Sequence, residues 1–466
     1  MTIEQIYTGC LAQGAYYIRC CDEAAIIDPL REVTPYLERA ERDGVKIKYI
    51  FETHFHADFV SGHLTLAERT GAPIVYGPTA RPNFAAHIAE DGEEFKIGKL
   101  TIRALHTPGH TMESTTYLLL DKQGKEHAIF TGDTLFLGDV GRPDLAQKAA
   151  HLTQEEMAGT LYDSLRERIM PLPDDVIVYP AHGAGSACGK KMMKETVDTL
   201  GRQKRLNYAL RADMTREEFI QEVTAGLEAP PAYFPLNVRM NKEGYVDIEE
   251  VLADGLTPLD PEEFEAKAND LDALVLDVRR PDDYAAAHVP GSIFIGLDGS
   301  FAPWAGELIV DVQQAILLVA PEGREEEAIT RLSRVGFDRT LGYLAGGVTA
   351  WTESGRETDG VATTTGKTLK GDTPVFDVRK PSEFAAEHVM GATNTPLSSL
   401  NDHLGTFPEN DTFYLHCAGG YRSMIASSVL KKRGIHNFVN VNGGMKAIRQ
   451  TDTPLTEYVC PSSSPR

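Results

Sequence analysis

The stretch T-H-F-H-A-D-F, Thr53 to Phe59, decides the reading of this chain. His54, His56 and Asp58 stand at alternate positions. Imidazole and carboxylate are standard protein ligands for divalent transition metals. The apolar run Val45 to Phe51 precedes them, so the three donors are expected on the loop just past a strand. Phe59 closes the stretch with a side chain that cannot bind a metal.

Three further motifs join this loop. His110 closes T-P-G-H-T after the apolar run Leu100 to Leu105, Asp133 lies in F-T-G-D-T after Ala128 to Thr131, and His182 lies in Y-P-A-H-G after Val176 to Tyr179. Those runs read as strands, as do Ala24 to Ile27 and Lys46 to Phe51. Each motif sits just past the C-terminal end of its run, where a sheet can bring distant residues to one point. A single H-x-H would be weak evidence, whereas four motifs in this order mark a metal site. His63, His87, His106, His127, His151, His403 and His436 have no motif around them and read as surface or structural histidines.

The 466 residues are too many for one ordinary domain and suggest three, at roughly 150 residues each. A hydrophobic content of 42% is enough for ordinary cores. The net charge of −22 argues against nucleic acid or an anionic membrane as partner, since both demand a basic face. No basic-plus-apolar leader is visible and no apolar run approaches the ~18 residues of a membrane span, so a cytoplasmic protein is expected. Cys10, Cys20, Cys21, Cys188, Cys417 and Cys460 form no disulfide framework; each is a core residue or a reactive thiol. The charged, helical pattern of Met192 to Leu227 is broken by Pro230, Pro231 and Pro235.

The second half contains a repeat. Asp277, Val278, Arg279, Pro281, Ala285, Ala286, His288, Val289 and Gly291 recur 100 positions later as Asp377, Val378, Arg379, Pro381, Ala385, Ala386, His388, Val389 and Gly391. The offset then drifts, with Gly346-Gly347 answering to Gly443-Gly444. Each copy reads strand (Leu274 to Val278; Val375 to Val378), helix, strand (Ile316 to Val319; Phe413 to His416), helix. That alternation implies a parallel sheet with helices on its faces. The expected domains are 1–250, 258–357 and 367–460, with Asp359 to Asp372 linking the two copies.

The second copy carries H-C-A-G-G-Y-R-S, His416 to Ser423. Cys417 ends a strand, a helix begins near Ser423, and Ala418, Gly419 and Gly420 are small enough for backbone N–H groups to turn towards the sulfur. A helix N-terminus and Arg422 both favour a thiolate, or a persulfide anion, at Cys417. His416 reads as a strand-end residue rather than a base. The first copy has Ala320 opposite Cys417, in the acidic loop A-P-E-G-R-E-E-E. That loop would repel a persulfide anion, so this copy is expected to be inactive and to serve as a spacer, an oligomer contact or a docking surface.

Taken together, residues 1 to 245 resemble the metallo-β-lactamase superfamily, an αββα sandwich, and within it the persulfide dioxygenases related to glyoxalase II. The resemblance rests on I-I-D-P (Ile26 to Pro29), H-x-H-x-D, T-P-G-H, T-G-D, G-R-P-D (Gly141 to Asp144) and Y-P-A-H. The superfamily usually places a second-metal His where Phe59 stands, so one ion is expected. The resemblance implies one Fe(II) per chain on His54, His110 and Asp133. Two His and one carboxylate leave positions open for O₂ and substrate. His56, Asp58, His182 and Asp144 would support the ligands through hydrogen bonds. Arg142 and, near the end of that domain, Arg239 would face substrate. Val140 stands where single-domain dioxygenases carry a Cys, so that thiol plays no part here.

The repeats resemble rhodanese domains, and C-x4-R gives the short loop of a rhodanese where related phosphatases use C-x5-R. Cys417 would accept sulfur, with Arg422 beside it and Gly419, Gly420 and Tyr421 around the substrate. The whole chain is then similar to bacterial persulfide dioxygenase–rhodanese fusions. Such a fusion implies oxidation of a low-molecular-weight persulfide by O₂ to sulfite and thiol. It also implies sulfur transfer that makes or uses thiosulfate, in sulfide detoxification, by a dimer or tetramer. Two alternatives stay open at this point. One is a glyoxalase II-type zinc thioester hydrolase with accessory repeats. The other is a non-catalytic persulfide-sensing scaffold.

Overall fold

A computed structural model describes residues 1–145, 151–227, 229–369 and 372–459. Cys460 lies outside the described residues. The chain divides into two compact units, Met1–Ile248 with Leu332–Gly336, and Glu249–Arg331 with Phe337–Arg466.

The first unit holds two six-stranded mixed sheets. One orders β1 (Thr2–Thr8), β2 (Gln13–Cys20), β3 (Glu23–Ile27), β4 (Lys46–Phe51), β5 (Ile74–Tyr76) and β6 (His87–Ile88) as they come in the chain. The other comprises β7 (Glu94–Ile97), β8 (Leu100–His106), β9 (Thr115–Leu120), β10 (Glu126–Gly132), β11 (Ile177–Pro180) and β12 (Asp198–Thr199). Side-chain alternation along a strand explains the layering. In β2, Tyr16 and Ile18 join a core with Phe51, Ile102, Tyr117 and Phe130 between the sheets. Ala15 and Tyr17 point the other way, onto Tyr36 and Ala40 of the helix Thr34–Asp43 and Leu66 of the helix His63–Thr70. On the far face Leu118, Leu120 and Ile129 pack against Leu161 of the helix Gln154–Ser164. Helix, sheet, sheet and helix thus stack in four layers, the αββα sandwich of the metallo-β-lactamase fold.

Pro230 and Pro231 lie in the break between the helices Arg216–Thr224 and Phe234–Glu243, as expected, and Pro235 lies in the first turn of the second. A proline there costs nothing, because the first-turn N–H groups have no intrahelical acceptor to lose.

The second unit holds two five-stranded parallel sheets, one from each copy of the repeat. The first contains β13 (Pro258–Leu259), β14 (Leu274–Asp277), β15 (Ile293–Phe294), β16 (Ile316–Val319) and β17 (Thr340–Leu344). The second contains β18 (Thr363–Thr365), β19 (Val375–Asp377), β20 (Thr393–Asn394), β21 (Phe413–His416) and β22 (Phe438–Asn442). Both run in the same order, first strand, fifth, fourth, second, third, counted along each copy. The repeated residues do the same work in each copy. Arg279 clasps Asp277 and the Ala287 carbonyl, and Arg379 clasps Asp377 and the Glu387 carbonyl. His288 stacks on Tyr284 at 3.8 Å and His388 on Phe384 at 3.7 Å. Among the described residues, no helix is long and apolar enough to cross a membrane.

Candidate metal centre and thiol site

The loop after β4 and the loops after β8, β10 and β11 meet at one buried point. Ligand atoms of His54, His110 and Asp133 lie within 4.8 Å of one another, and all three residues are buried. Each is held by its other polar atom. Thr53 Oγ1 contacts His54 Nδ1 at 3.0 Å, the Arg142 carbonyl contacts His110 Nδ1 at 2.9 Å, and His182 Nδ1 contacts Asp133 Oδ1 at 2.7 Å. What remains is His54 Nε2 and His110 Nε2 facing Asp133 Oδ2 at 3.9 and 3.4 Å. Asp133 Oδ2 is buried and has no hydrogen-bond partner. A buried carboxylate oxygen without a donor is costly, and a cation on this triangle would satisfy it. The donor set therefore fits a metal ion.

The electrostatics agree. Burial alone would push Asp133 up, but His182, His110 and His54 outweigh it and hold the carboxyl far below its usual range. Burial, together with the charge of His56, pushes His54 well below the ordinary imidazole value. That favours the neutral form, the one with a lone pair to give.

Behind the triangle runs a chain of carboxylates and imidazoles. Asp58 Oδ2 lies 2.8 Å from His182 Nε2, so His182 is held between Asp58 and Asp133. Burial opposes a charge on His182, yet the two carboxylates raise it well above the ordinary value. His56 turns away from the triangle, 3.1 Å from Asp28 and 3.3 Å from Glu52. Burial opposes its charge too, but Asp28 and Glu52 push it up to about 10. Phe59 packs its ring 4.3 Å from that of His56.

Two glycines leave room for the ligands. At Gly132, with φ of +52°, a Cβ would come 2.6 Å from Thr53 Oγ1, the atom that orients His54. At Gly141 it would come 2.1 Å from the Asp133 carbonyl and 2.9 Å from His110 Nδ1. Gly141→Ala is expected to force this loop apart at roughly 1–3 kcal/mol. Elemental analysis should then find less bound metal and calorimetry a lower Tm; wild-type values of both would refute the packing described.

The thiol site forms where β21 gives way to the helix Tyr421–Lys432. Cys417 is buried, and the Gly420 N–H donates to its Sγ at 3.1 Å. Gly420 has φ of +104°, a conformation that lets the chain turn its N–H inward. Arg422 pairs with Glu383 in a fork of 2.6 and 2.9 Å. His416 is buried, with Nε2 3.8 Å from Asp377, and burial pushes it below the ordinary value. A cavity of about 350 Å³ opens at Cys417, lined by Gly419, Tyr421 and Arg422 and by Ser300 and Trp304 of the first copy. Tyr421 donates its hydroxyl proton to the Gly296 carbonyl at 2.7 Å, so its polar end belongs to the first copy.

The metallo-beta-lactamase superfamily model matches residues 8–182. The human mitochondrial persulfide dioxygenase ETHE1 is 32% identical over 202 residues, covering 43% of this chain and 70% of that protein. The chain belongs to the metallo-beta-lactamase superfamily. The rhodanese-like domain model matches twice, at residues 260–354 and 364–451. A probable hydroxyacylglutathione hydrolase of Schizosaccharomyces pombe is 33% identical over 172 residues, or 36% of this chain and 62% of that protein. The crystal structure of a metallo-beta-lactamase from Staphylococcus aureus aligns with a TM-score of 0.64 at 30% identity, covering 73% of this chain and 98% of that one. A metallo-beta-lactamase domain homologous to persulfide dioxygenases is thus followed by two rhodanese-like domains.

Within this superfamily member, the structure gathers His54, His110 and Asp133, with His182 and Asp58 directly behind them. Asp144 does not reach a ligand histidine. It holds Arg142 in a fork of two 2.7 Å bonds, and the Arg142 carbonyl steadies His110. Arg239 is not drawn to the set; it is more than half exposed and pairs with Glu243 on its own helix.

Four participants escaped the sequence reading. Asp28, quoted only within I-I-D-P, and Glu52 stand just past the runs Ala24 to Ile27 and Lys46 to Phe51, with no role assigned to either. His63, read as a surface or structural residue, sits 3.4 Å from Glu52 inside the same buried cluster. Cys188, read as a core residue or a reactive thiol, comes within ligand reach of Asp58 and His182. Burial, then Asp133 and Asp58, push its thiol well above the ordinary value. The signal was its place six residues after His182, on the loop leaving the metal centre.

Proposed function

We propose that the protein oxidises a low-molecular-weight persulfide with O₂ at one Fe(II), and moves sulfane sulfur through Cys417. The balanced oxidation is R-S-SH + O₂ + H₂O giving R-SH and sulfite with two protons. The transfer is Cys417-S-S⁻ + SO₃²⁻ giving Cys417-S⁻ and S₂O₃²⁻, or its reverse. The observation that carries the first half is the triangle of two imidazoles and one carboxylate with its unpartnered Asp133 oxygen. Ferrous ion bound there would supply the redox chemistry that couples O₂ to sulfur.

The chain's own residues set the conditions. Thr53, the Arg142 carbonyl and His182 fix the three ligands in orientation, and such supports are worth 10–100-fold in metal affinity. Burial keeps bulk water from the reacting centre. At the other site, the Gly420 N–H stabilises anionic sulfur on Cys417 and Arg422 flanks the cavity. Two sites on one chain raise the effective concentration of the shared sulfur compound.

A hydrolase reading is favoured by one observation, the approach of Asp58, His182 and Cys188, which could hold a second ion. It is outweighed by their mutual bonding. His182 faces a carboxylate oxygen with each ring nitrogen, so it has no lone pair to spare, and Phe59 supplies none.

The test is O₂ uptake by iron-loaded protein on adding glutathione persulfide, with metal assayed on the same sample. Rapid uptake, about one iron per chain and sulfite as product are expected. Two zinc ions, no uptake and cleavage of a glutathione thioester would overturn the reading. At the thiol site, Trp304→Ala is expected to raise KM for sulfur transfer several-fold and leave kcat nearly unchanged. Trp304 offers the cavity binding area and no reacting atom. A fall in kcat alone would contradict that role.

A further inference from the structure

Cys20 and Cys21 bring two thiols together far along the chain from either site. Cys20 ends β2 and pairs across the hairpin with Glu23, so Cys21 and Asp22 make the turn. Strand alternation sends Cys20 inward, into the core between the sheets. Cys21 adopts φ of +60° and is exposed, which folds its side chain back over its neighbour. The two Sγ atoms lie 3.4 Å apart.

A disulfide would need about 2.05 Å. Closing the gap would pull on a turn that is held on both sides. The β2–β3 ladder fixes one side. The other is fixed by the turn between β7 and β8, where the Gly98 N–H donates to Glu23 at 2.7 Å and an added Cβ would come 2.6 Å from the Cys20 carbonyl. Two S–S bonds through one bent sulfur span roughly 3.3 Å between their ends, close to the distance already present.

We propose that Cys20 and Cys21 form a second sulfane-sulfur site, which takes one sulfur from a low-molecular-weight persulfide and holds it as a Cys20-S-S-S-Cys21 trisulfide. It rests on the proposed function only in that the chain meets persulfides. Exposed Cys21 attacks the outer sulfur of R-S-SH and releases R-SH. A second persulfide extends the product to Cys21-S-S-SH. Buried Cys20, as thiolate, then attacks the middle sulfur and expels HS⁻. Overall, two R-S-SH and two thiols give one trisulfide, two R-SH and one H₂S. The expelled sulfur is reduced and the two cysteines are oxidised. The hydrogen bond to Cys20, then burial, push the Cys21 thiol above its ordinary value. Uptake accordingly quickens as pH rises.

The test treats the full chain, carrying Cys417→Ser, with glutathione persulfide under argon. Iodoacetamide, trypsin and mass spectrometry of the peptide Cys20–Arg31 follow. The expected peptide is unalkylated and heavier than the dithiol by one sulfur less two hydrogens. Dithiothreitol should restore the dithiol and release one H₂S per chain. In Cys20→Ser, Cys21 should instead carry persulfide sulfur that iodoacetamide caps. A peptide merely lighter by two hydrogens, a capped persulfide in the parent chain, or an unmodified dithiol would each overturn the proposal. O₂ uptake on a separate aerobic aliquot reports on the dioxygenase reading independently.

Discussion

Asp133→Ala is expected to empty the metal centre and abolish O₂ uptake with glutathione persulfide, while sulfur transfer through Cys417 continues. Asp133 supplies the only carboxylate of the triangle, and its Oδ2 is the atom both Nε2 groups face. Losing a group that merely supports a ligand costs 10–100-fold in metal affinity; losing a ligand should cost at least the upper end of that, about 100-fold. The substitution also leaves His182 with Asp58 as its one remaining carboxylate. Part of any loss of stability will come from there, since breaking a buried charged pair costs about 3–5 kcal/mol. His182→Gln separates the effects. It keeps all three ligands and removes the bridge, so metal should bind 10–100-fold more weakly but still bind. Equal and complete metal loss in both variants would mean that the ligand set is wrong. Iron retained at full occupancy in Asp133→Ala would mean the same.

The four metal-site motifs could be read from sequence because each is short and follows an apolar run. The runs Lys46 to Phe51, Ile316 to Val319 and Phe413 to His416 correspond residue for residue to β4, β16 and β21. Such runs are bounded by loop residues and end on buried residues, which makes strand ends sharp. The duplication could be read because Asp277 and Arg279, like Asp377 and Arg379, form one buried ion pair whose two members must be kept together. The roles of Asp28 and Glu52 could not be read for a different reason. Both lie at strand ends among apolar neighbours, and nothing in the local pattern says that they converge on His56. Cys188 carries no flanking motif, and only the path of the loop after His182 brings it back. Proline is a breaker inside a helix and a starter at its first turn, so the pattern marks the break after the helix Arg216–Thr224 without saying that Pro235 opens the next one. The contribution of Ser300 and Trp304 to the cavity at Cys417 depends on how two copies pack within one unit. No pattern within either copy encodes it.

Cys417→Ser is expected to reduce sulfur transfer to the uncatalysed rate and leave O₂ uptake unchanged. Serine is close to cysteine in size, so the Gly420 N–H keeps an acceptor and the loop between β21 and the following helix keeps its turn. What is lost is the nucleophile: a hydroxyl is far less acidic than a thiol and cannot carry sulfane sulfur as R-S-S⁻. Products should shift with it. Wild-type protein given excess persulfide and O₂ should yield thiosulfate as well as sulfite, and the variant sulfite with thiosulfate only at the background rate. The first copy gives an internal comparison. Ala320 stands in the sequence position of Cys417, on a loop where Arg324 pairs with Glu327 and Asp298. It offers neither nucleophile nor free anion cradle, so no residual transfer should come from it. Catalysed transfer persisting in Cys417→Ser would place the sulfur carrier on another cysteine. Cys20 and Cys21 would then be the first to examine, and their modification in the same sample would show it.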